Sequence, residues 1–457
     1  MTVSNNEKSS VRESVIIRGL IRGGGFAFLG KLITYPLGLI LTMVFARLLS
    51  TADVGGYFLA MSLIMLGSSL VQAGLATTMN KVIARSLTHN NHLAARKTIS
   101  IGIMALLIAS IIAALLLTNE PGKWLLSQLD DGDYLLTGLT WIAAMVVIFA
   151  GVNYCSEILR GFHDLPSAAL LDQQLLQRLL LFIILLVPLA LKQMLTLVQI
   201  LQMATAAAFI ALLMGIILIS PKIKQLGRHG ESIPAKKVLA EAPTFLLVRI
   251  NTWILNSAAI WVLGFARPLE EAALYGAGNT VALLVLAAWQ VVSSAIGPTV
   301  VTLHAEGRSS ALESILRSAA AVAALPGLVL AAILYFFGDS VLIILFTPEY
   351  AGAVGVLVVL ALGRSISAFL GSPMMLLSMT HHQDIVLRIL VVASALTLAG
   401  YAWVVGPYGA IGVAAISAIS VVVQALLLSI VARRVLGLNT LPNMSVSGWR
   451  NFFKRFI

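Results

Sequence analysis

The chain has 457 residues, of which 59% are hydrophobic and only 11% are charged, and its mean hydropathy is +0.97. A soluble protein of this size carries about 25% charged residues, so the composition excludes a soluble enzyme and a disordered chain. It indicates a polytopic membrane protein, and the net charge of +11 is attributed to basic loops rather than to nucleic-acid binding. The single cysteine excludes an intrachain disulfide, and no Cys or His cluster predicts a metal site or cofactor.

Apolar runs long enough to cross a bilayer follow one another along the whole chain. The first is interpreted as a transmembrane helix rather than a signal peptide, because no clean small-residue cleavage site follows it. The runs do not alternate as barrel strands do, so we expect an all-α protein. The twelve predicted spans are 26–46, 56–79, 98–118, 135–158, 168–190, 195–219, 242–264, 272–300, 313–337, 350–378, 385–405 and 409–432.

Basic residues orient these spans. With the N-terminus placed in the cytoplasm, twenty-two of the thirty Lys and Arg residues fall on the cytoplasmic side. Only four fall on the opposite side: Arg47, Lys123, Lys192 and Arg267. This bias predicts a multi-pass protein with both termini in the cytoplasm.

A short repeat relates the two halves of the sequence. The tripeptide Phe-Ala-Arg that ends at Arg47, after the first span, recurs 220 residues later and ends at Arg267, after the seventh. An even number of spans between the copies makes them parallel, related by an axis along the membrane normal. We therefore expect two six-helix lobes around a central cavity, formed by residues 1–220 and 221–457, with a basic-aromatic tail ending the second.

One motif resembles that of a known family. The segment ARLLSTADVGGY, from Ala46 to Tyr57, is similar to the helix 1–2 signature of the polysaccharide transport family, and the Gly-centred segment from Gln72 to Thr77 resembles the end of its second helix. That family contains the O-antigen and exopolysaccharide repeat-unit flippases of the multidrug/oligosaccharidyl-lipid/polysaccharide (MOP) exporter superfamily. The resemblance implies a MOP/MATE-like fold in the bacterial cytoplasmic membrane and alternating-access export of an undecaprenyl-diphosphate-linked oligosaccharide.

The same resemblance sets the expected partners. They are the lipid-linked substrate, the lipid bilayer, and a polysaccharide polymerase with chain-length proteins, but no nucleic acid. No residue is identified that would couple transport to an H⁺ or Na⁺ gradient.

Such a substrate needs a wet, cationic cavity, because unpaired polar groups are costly in hydrocarbon. Basic residues inside spans are therefore the candidates for substrate binding. Arg249 is the principal one, with Asn256 two turns further along the same face, since a guanidinium donates paired hydrogen bonds to phosphate. Lys31 and Arg364 are further candidates, although Arg364 could instead pair with a helix-end carbonyl or with Glu349.

Other polar residues allow two interpretations. Arg18 and Arg22, one turn apart, either face the substrate headgroup or anchor the first helix to anionic lipid. Asn279 and Gln290 lie on one face of the eighth span, where they either bind sugars or join helices. Arg178 is assigned to an interfacial cluster near the start of the fifth span, together with Asp172 and the glutamines beside it.

The repeated motif predicts an outer gate. Arg47 and Arg267 are each expected to hold either Asp53 or one of Glu270 and Glu271 when this gate closes. Two other functions are considered: a multidrug exporter of the same superfamily, which needs acidic residues in its cavity, and a membrane polysaccharide polymerase or ligase, which needs catalytic groups in its outer loops. The sequence shows neither feature clearly.

Overall fold

The computed structural model describes residues 33–128, 135–227, 229–230, 234, 242–380 and 382–442. Throughout these residues the regular secondary structure is helical and contains no strand, so the all-α prediction is confirmed. The two ends of the bundle are called outer and inner, after the sides to which the charge distribution assigns them.

Sixteen α-helices are formed by the described residues. Those of the first half are α1 (Ile33–Leu48), α2 (Thr51–Gln72), α3 (Leu75–Thr88), α4 (His92–Thr118), α5 (Glu120–Ser127), α6 (Leu139–Gly161), α7 (Leu165–Leu171), α8 (Leu175–Ala190) and α9 (Leu197–Gln225). Those of the second half are α10 (Ala242–Ala266), α11 (Leu269–Leu283), α12 (Ala287–Ala305), α13 (Ser309–Leu345), α14 (Val354–Phe369), α15 (Pro373–Met379) and α16 (Gln383–Leu436).

Each predicted span overlaps one or two of these helices. Within the described ranges, nine helical stretches are long and apolar enough to cross a membrane, and the bent pair α7–α8 makes a tenth. The shorter apolar helix α1 covers most of the first predicted span. The last two predicted spans share α16, which changes direction at Gly409, where φ is 52°. The prediction of a multi-pass membrane protein is confirmed.

Four predicted spans are interrupted rather than continuous. The interruptions lie at residues 73–74, 172–174, 284–286 and 370–372. At the first of them Gly74 has φ 74°, and a Cβ atom there would lie 2.0 Å from the carbonyl oxygen of Ala242. Only glycine permits this close approach of α10 to the bend. Hydropathy measures the length of an apolar run and not its backbone dihedral angles, so the prediction treated the two helices on either side of each interruption as one span.

A short helix follows α6 in the first half and α14 in the second half. Both α7 and α15 have seven residues, and both carry proline in their first turn. The fixed φ of proline suits that position. This repeat between the halves is structural, because the two heptapeptides share little beyond the proline.

Three hydrophobic clusters hold the bundle together. The largest draws on the outer parts of both halves, with Phe45 and Tyr57 in contact at a ring-centroid distance of 4.5 Å. The second contains first-half residues and Ala242 of α10, and the third contains second-half residues between Ile296 and Leu438. The two halves thus share the largest core at the outer end, whereas at the inner end each has a core of its own and only the start of α10 joins that of the first half. The lobe boundary near residue 220 stays a prediction.

Candidate functional site

Two adjoining chambers lie among the helices where the halves meet. The central chamber has a volume of about 500 Å³ and the inner chamber about 520 Å³. Both fall within the range of small-molecule sites, about 300–1,000 Å³. Their common wall is formed by Met65, Gln174, Asn256 and Ser257, so the two chambers are parts of one polar pathway.

Arg178 lines the central chamber from the first turn of α8. Its side chain is half-buried, and its Nη1 donates to the backbone carbonyl of Thr34 at 3.4 Å. Gly38 of α1 leaves room for it, because a Cβ there would lie 3.2 Å from Nη1. No carboxylate of the described residues lies within ion-pair distance of Arg178.

The assignment of Arg178 to an interfacial cluster with Asp172 is therefore wrong. Asp172 pairs instead with Arg160 at 2.5 Å. The interruption at 172–174 turns the two residues to different surroundings, which a straight-helix projection of the sequence cannot represent.

Arg364 approaches the same chamber from α14. Its Nη1 and Nη2 donate to the backbone carbonyl and side-chain oxygen of Asn279 at 3.0 and 2.6 Å. Asn279 lines the central chamber, so Arg364 stands directly behind the chamber wall. The alternative partner Glu349 is wrong, because no described carboxylate lies within ion-pair distance of Arg364.

Tyr35 of α1 adds a hydroxyl to the lining of the central chamber, near Arg178 and Arg364. Neither arginine has an acidic partner among the described residues. A charge inside a membrane span is expensive without a counter-ion or water. Arg178 in the lining of the central chamber and Arg364 behind its wall are therefore two positive charges that no described acid compensates.

The inner chamber holds charged groups in pairs. Arg249 of α10 lines this chamber, and its Nη2 lies 3.7 Å from Oε1 of Glu157. Glu157 is only 7% exposed, and it also accepts hydrogen bonds from Arg160 at 3.0 Å and from Asn80 at 2.9 Å. With the Arg160–Asp172 pair, two basic and two acidic side chains form one compensated cluster.

A further ion pair lies beside this cluster, at the loop before α7. Lys222 contacts Asp164 at 2.7 Å, and Ser167 donates its backbone N–H to the same carboxylate. Partial burial on its own raises the pKa of Asp164, but the hydrogen bonds from Lys222 and Ser167 and the lysine's charge outweigh it and lower the pKa.

At the outer end, Arg267 and Glu271 hold the bend of α16. The guanidinium of Arg267 donates to the carbonyls of Val405 and Gly406 at 3.2 and 2.6 Å. Glu271 accepts the backbone N–H of Ala410 at 2.8 Å and lies 3.7 Å from Arg267. The pair thus binds both helix ends that the bend exposes.

The first half has a related arrangement around Asp53. This carboxylate accepts the N–H of Leu197, at the start of α9, at 2.8 Å and the hydroxyl of Ser50 at 2.6 Å. Asp53 lies in the first turn of α2 and binds the start of α9, and Glu271 lies in the first turn of α11 and binds the second part of α16. Arg47 is exposed and forms no ion pair with a described acid, so the arrangement lacks the arginine of the second half.

The halves meet directly at the outer end. The hydroxyl of Thr51 donates to Glu349 at 2.5 Å. A Cβ atom at Gly55 would lie 1.9 Å from the carbonyl oxygen of Leu269, so α2 and α11 touch backbone to backbone. These contacts close the outer side of the central chamber.

The remaining candidates differ in how they are placed. Asn256 lines both chambers, whereas Gln290 is not among the residues that line either one. Arg18, Arg22 and Lys31 lie outside the described residues. Sequence reasoning missed Tyr35 and Gln177 as well as Arg178, and the only available signal was an arginine inside the glutamine-rich start of an apolar run.

The chain belongs to the family of polysaccharide biosynthesis proteins, whose model matches residues 20–304. Its fold is that of the multidrug and toxic-compound (MATE) transporters of the MOP superfamily. An inward-facing multidrug resistance MATE transporter is similar with a TM-score of 0.69 at 15% identity, over 90% of this chain and 98% of that one. A MATE transporter of Vibrio cholerae gives 0.62 at 16% identity, over 93% and 98% of the two chains.

A third similar structure is a MOP superfamily transporter from Pyrococcus furiosus, with a TM-score of 0.60 and 16% identity over 92% of this chain and 95% of that one. It is described as having a binding pocket of reverse polarity that suggests a different function. Among curated proteins, no sequence matches this chain. The fold prediction and the family resemblance are both confirmed.

Proposed function

We propose that this protein is a flippase that moves a polyprenyl-diphosphate-linked oligosaccharide across the bacterial cytoplasmic membrane for surface polysaccharide synthesis. The observation that carries the proposal is the convergence of Arg178 and Arg364, both without an acidic partner among the described residues, on one chamber. Membership in the polysaccharide biosynthesis family supports the same substrate class.

The chemistry of a diphosphate matches this chamber. A diphosphate diester carries two negative charges, and two arginines offer two positive ones without having to break an existing ion pair. The Arg178 guanidinium can donate forked hydrogen bonds to phosphate oxygens, and those bonds are stronger in a partly dry chamber than in water. Arg364, whose Nη1 and Nη2 are bound to Asn279, contributes its charge from behind the chamber wall. Tyr35, Gln177 and Asn279 supply further polar groups to the headgroup, while the prenyl tail stays in lipid.

The packing supports an alternating-access cycle. The halves share the largest core and backbone contacts at the outer end, whereas at the inner end they have their own cores, joined only through the start of α10. This is the arrangement expected when the substrate enters from the inner leaflet. Opening the outer side requires the contacts of Thr51 with Glu349 and of Gly55 with Leu269 to separate. An H⁺ or Na⁺ gradient is our proposal for the energy source, and a polymerase with chain-length proteins for the downstream partners.

Export of cationic drugs is the second candidate, because the structures with similar folds include multidrug transporters. One buried carboxylate, Glu157, is present near the pathway, as such a function requires. However, its oxygens are engaged by Arg160, Arg249 and Asn80. A cation entering the central chamber would also meet two uncompensated arginines, so we favour the anionic substrate.

Deleting the gene and locating the lipid-linked repeat unit tests the proposal. We expect the unit to accumulate in the inner leaflet, and expression of the wild type to restore the surface glycan. Arg178→Ala should fail to restore it, whereas Arg388→Ala, which removes an exposed arginine of α16, should succeed. Normal surface glycan combined with increased sensitivity to cationic drugs would reject the flippase and support the multidrug exporter.

A further inference from the structure

We infer that the inner chamber is a subsite for the sugars of the substrate, and that Glu157 makes it select sugars without negative charge by holding Arg249. The inference rests on the proposed function. It assigns different parts of one headgroup to the two chambers: the diphosphate to the central chamber and the glycan to the inner one.

One diphosphate is too short to extend from Arg249 in the inner chamber to the far end of the central chamber. Arg249 lines the inner chamber and Ile260, on the same helix, lines the central chamber. At a rise of about 1.5 Å per residue, these positions are separated by about 16 Å along α10. A diphosphate is much shorter than this distance, so a headgroup bound through its phosphates in the central chamber extends its sugars through the common wall.

The lining of the inner chamber suits sugars. Hydroxyl and amide side chains dominate its polar surface: Ser68, Ser69, Thr77, Asn153, Thr252 and Gln174. Phe245 and Trp253 add aromatic surface, and the indole N–H of Trp253 is already bound to the carbonyl of Ser62 at 2.9 Å. A sugar presents hydroxyls at its edge and C–H groups on its face, so it needs both kinds of surface.

The charges of the inner chamber cancel, unlike those of the central one. Arg249 faces the chamber but lies 3.7 Å from Glu157, and Asp172 in the chamber wall is paired with Arg160. A carboxylate on an entering sugar would approach Asp172. The sugar carboxylate could pair with Arg249 only by displacing Glu157 from it, and the buried Glu157 would then lose one of its partners. Glu157 would keep Arg160 and Asn80, so breaking this partly exposed pair lowers the rate by about fivefold at most, and the repulsion from Asp172 adds to that cost. An uncharged sugar avoids this exchange.

Flipping in proteoliposomes tests the inference with two synthetic lipids. Both carry the same prenyl diphosphate and a trisaccharide, and they differ only in whether the terminal sugar is a neutral hexose or a hexuronic acid. We expect the wild type to flip the neutral lipid faster, by about tenfold, because the acidic sugar must both displace Glu157 from Arg249 and lie beside Asp172. Glu157→Gln, which keeps the side-chain shape and frees Arg249, should reduce this ratio to about threefold or less.

Two further variants complete the test. Asp164→Asn removes an acid from the neighbouring Lys222 pair, which lines neither chamber, and should leave the ratio unchanged. If Glu157→Gln does not fold, Asp172→Asn provides the same comparison, because it removes an acid from the wall of the inner chamber. It should also raise the relative rate of the acidic lipid.

The outcomes separate this inference from the proposed function. Equal rates for the two lipids in the wild type, faster flipping of the acidic lipid, or an unchanged ratio in folded Glu157→Gln would overturn the inference and leave the flippase standing. Where Glu157→Gln does not fold, an unchanged ratio in Asp172→Asn would do the same. Failure of the wild type to flip either lipid would reject the proposed function, and the inference with it.

Discussion

The central and inner chambers share a wall and differ in how their charges are compensated. In the central chamber, Arg178 and Arg364 are bound only to neutral oxygens within the described chain. In the inner chamber, Arg249 lies beside Glu157. All three residues are arginines inside apolar spans, so residue type and depth are alike. The comparison teaches that the partner of a buried arginine, and not its position in a span, decides whether its charge is available to an anionic ligand.

The largest expected effect is that of removing a charge from the central chamber. Arg178→Ala should lower flipping by about 10- to 100-fold, because a charge-assisted, forked contact to phosphate contributes about 1.5–3 kcal/mol and the vacated space admits water to the remaining charge. The surface glycan restored in a deletion strain measures it. Arg178→Lys should recover part of the activity, since it keeps the charge without the fork. Wild-type export by Arg178→Ala would contradict the assignment of this chamber.

A second prediction concerns the backbone contact beside the inner chamber. Gly74→Ala should destabilise the protein by about 1–3 kcal/mol through its left-handed backbone, and further because the added Cβ meets the carbonyl oxygen of Ala242. Gly307→Ala is the matched control, since Gly307 has φ 68° but nothing within 4 Å of its Cβ position. The apparent Tm in detergent should fall more for Gly74→Ala, and equal losses would show that the close approach of α10 does not matter.

The third prediction compares the two chambers directly. Arg249→Ala should lower flipping of a neutral repeat unit by no more than about fivefold, because its charge is held by Glu157 and a partly exposed ion pair contributes about 0–1 kcal/mol. Rates in proteoliposomes measure this effect. A loss of flipping as large as that of Arg178→Ala would show that the ion pair with Glu157 does not make Arg249 less important than Arg178.

The smallest effect belongs to the ion pair outside the chambers. The pKa of Asp164 is lowered in the folded protein, so its carboxylate adds stability above its unfolded pKa, about 3.9, and that stability is lost as the pH falls through the folded value. Asp164→Asn should therefore lower the apparent Tm at pH 7 and differ less from the wild type as the pH falls below about 4. Asp384→Asn, which changes an exposed acid, serves as the control. A difference that grows on acidification would contradict the sign of the effect.

Much of the fold could be predicted from the sequence because bilayer thickness and loop charge act on long segments. The twelve apolar runs and the resemblance around Asp53 were sufficient for the architecture. The interruptions were not predictable in this way. They depend on single left-handed residues such as Gly74 and Gln174, whose conformation is set by contacts distant in the sequence.

The candidate site was predicted less completely for the same reason. Arg364 and Asn279 were identified because each interrupts an apolar or regular pattern, but their mutual hydrogen bonds join helices 85 residues apart in sequence. Arg249 was the principal candidate because it is an arginine inside an apolar span, and its pairing was not foreseen because its partner Glu157 lies at the end of a different span. Arg178 was missed because the bend before α8 redirects it, and no periodicity encodes that bend.

We expect Arg178 and Arg364, which no described acid compensates, to bind the diphosphate of the substrate. The most direct test is whether the protein prefers a lipid with two phosphates to one with a single phosphate. Flipping of a prenyl-diphosphate-linked glycan can be compared in proteoliposomes with that of the same glycan on a prenyl monophosphate, for the wild type and for Arg178→Ala. We predict that the wild type prefers the diphosphate by about tenfold, as expected for one additional charge-assisted contact, and that Arg178→Ala largely loses this preference. Equal rates for the two lipids in the wild type, or an unchanged preference in the variant, would contradict the account.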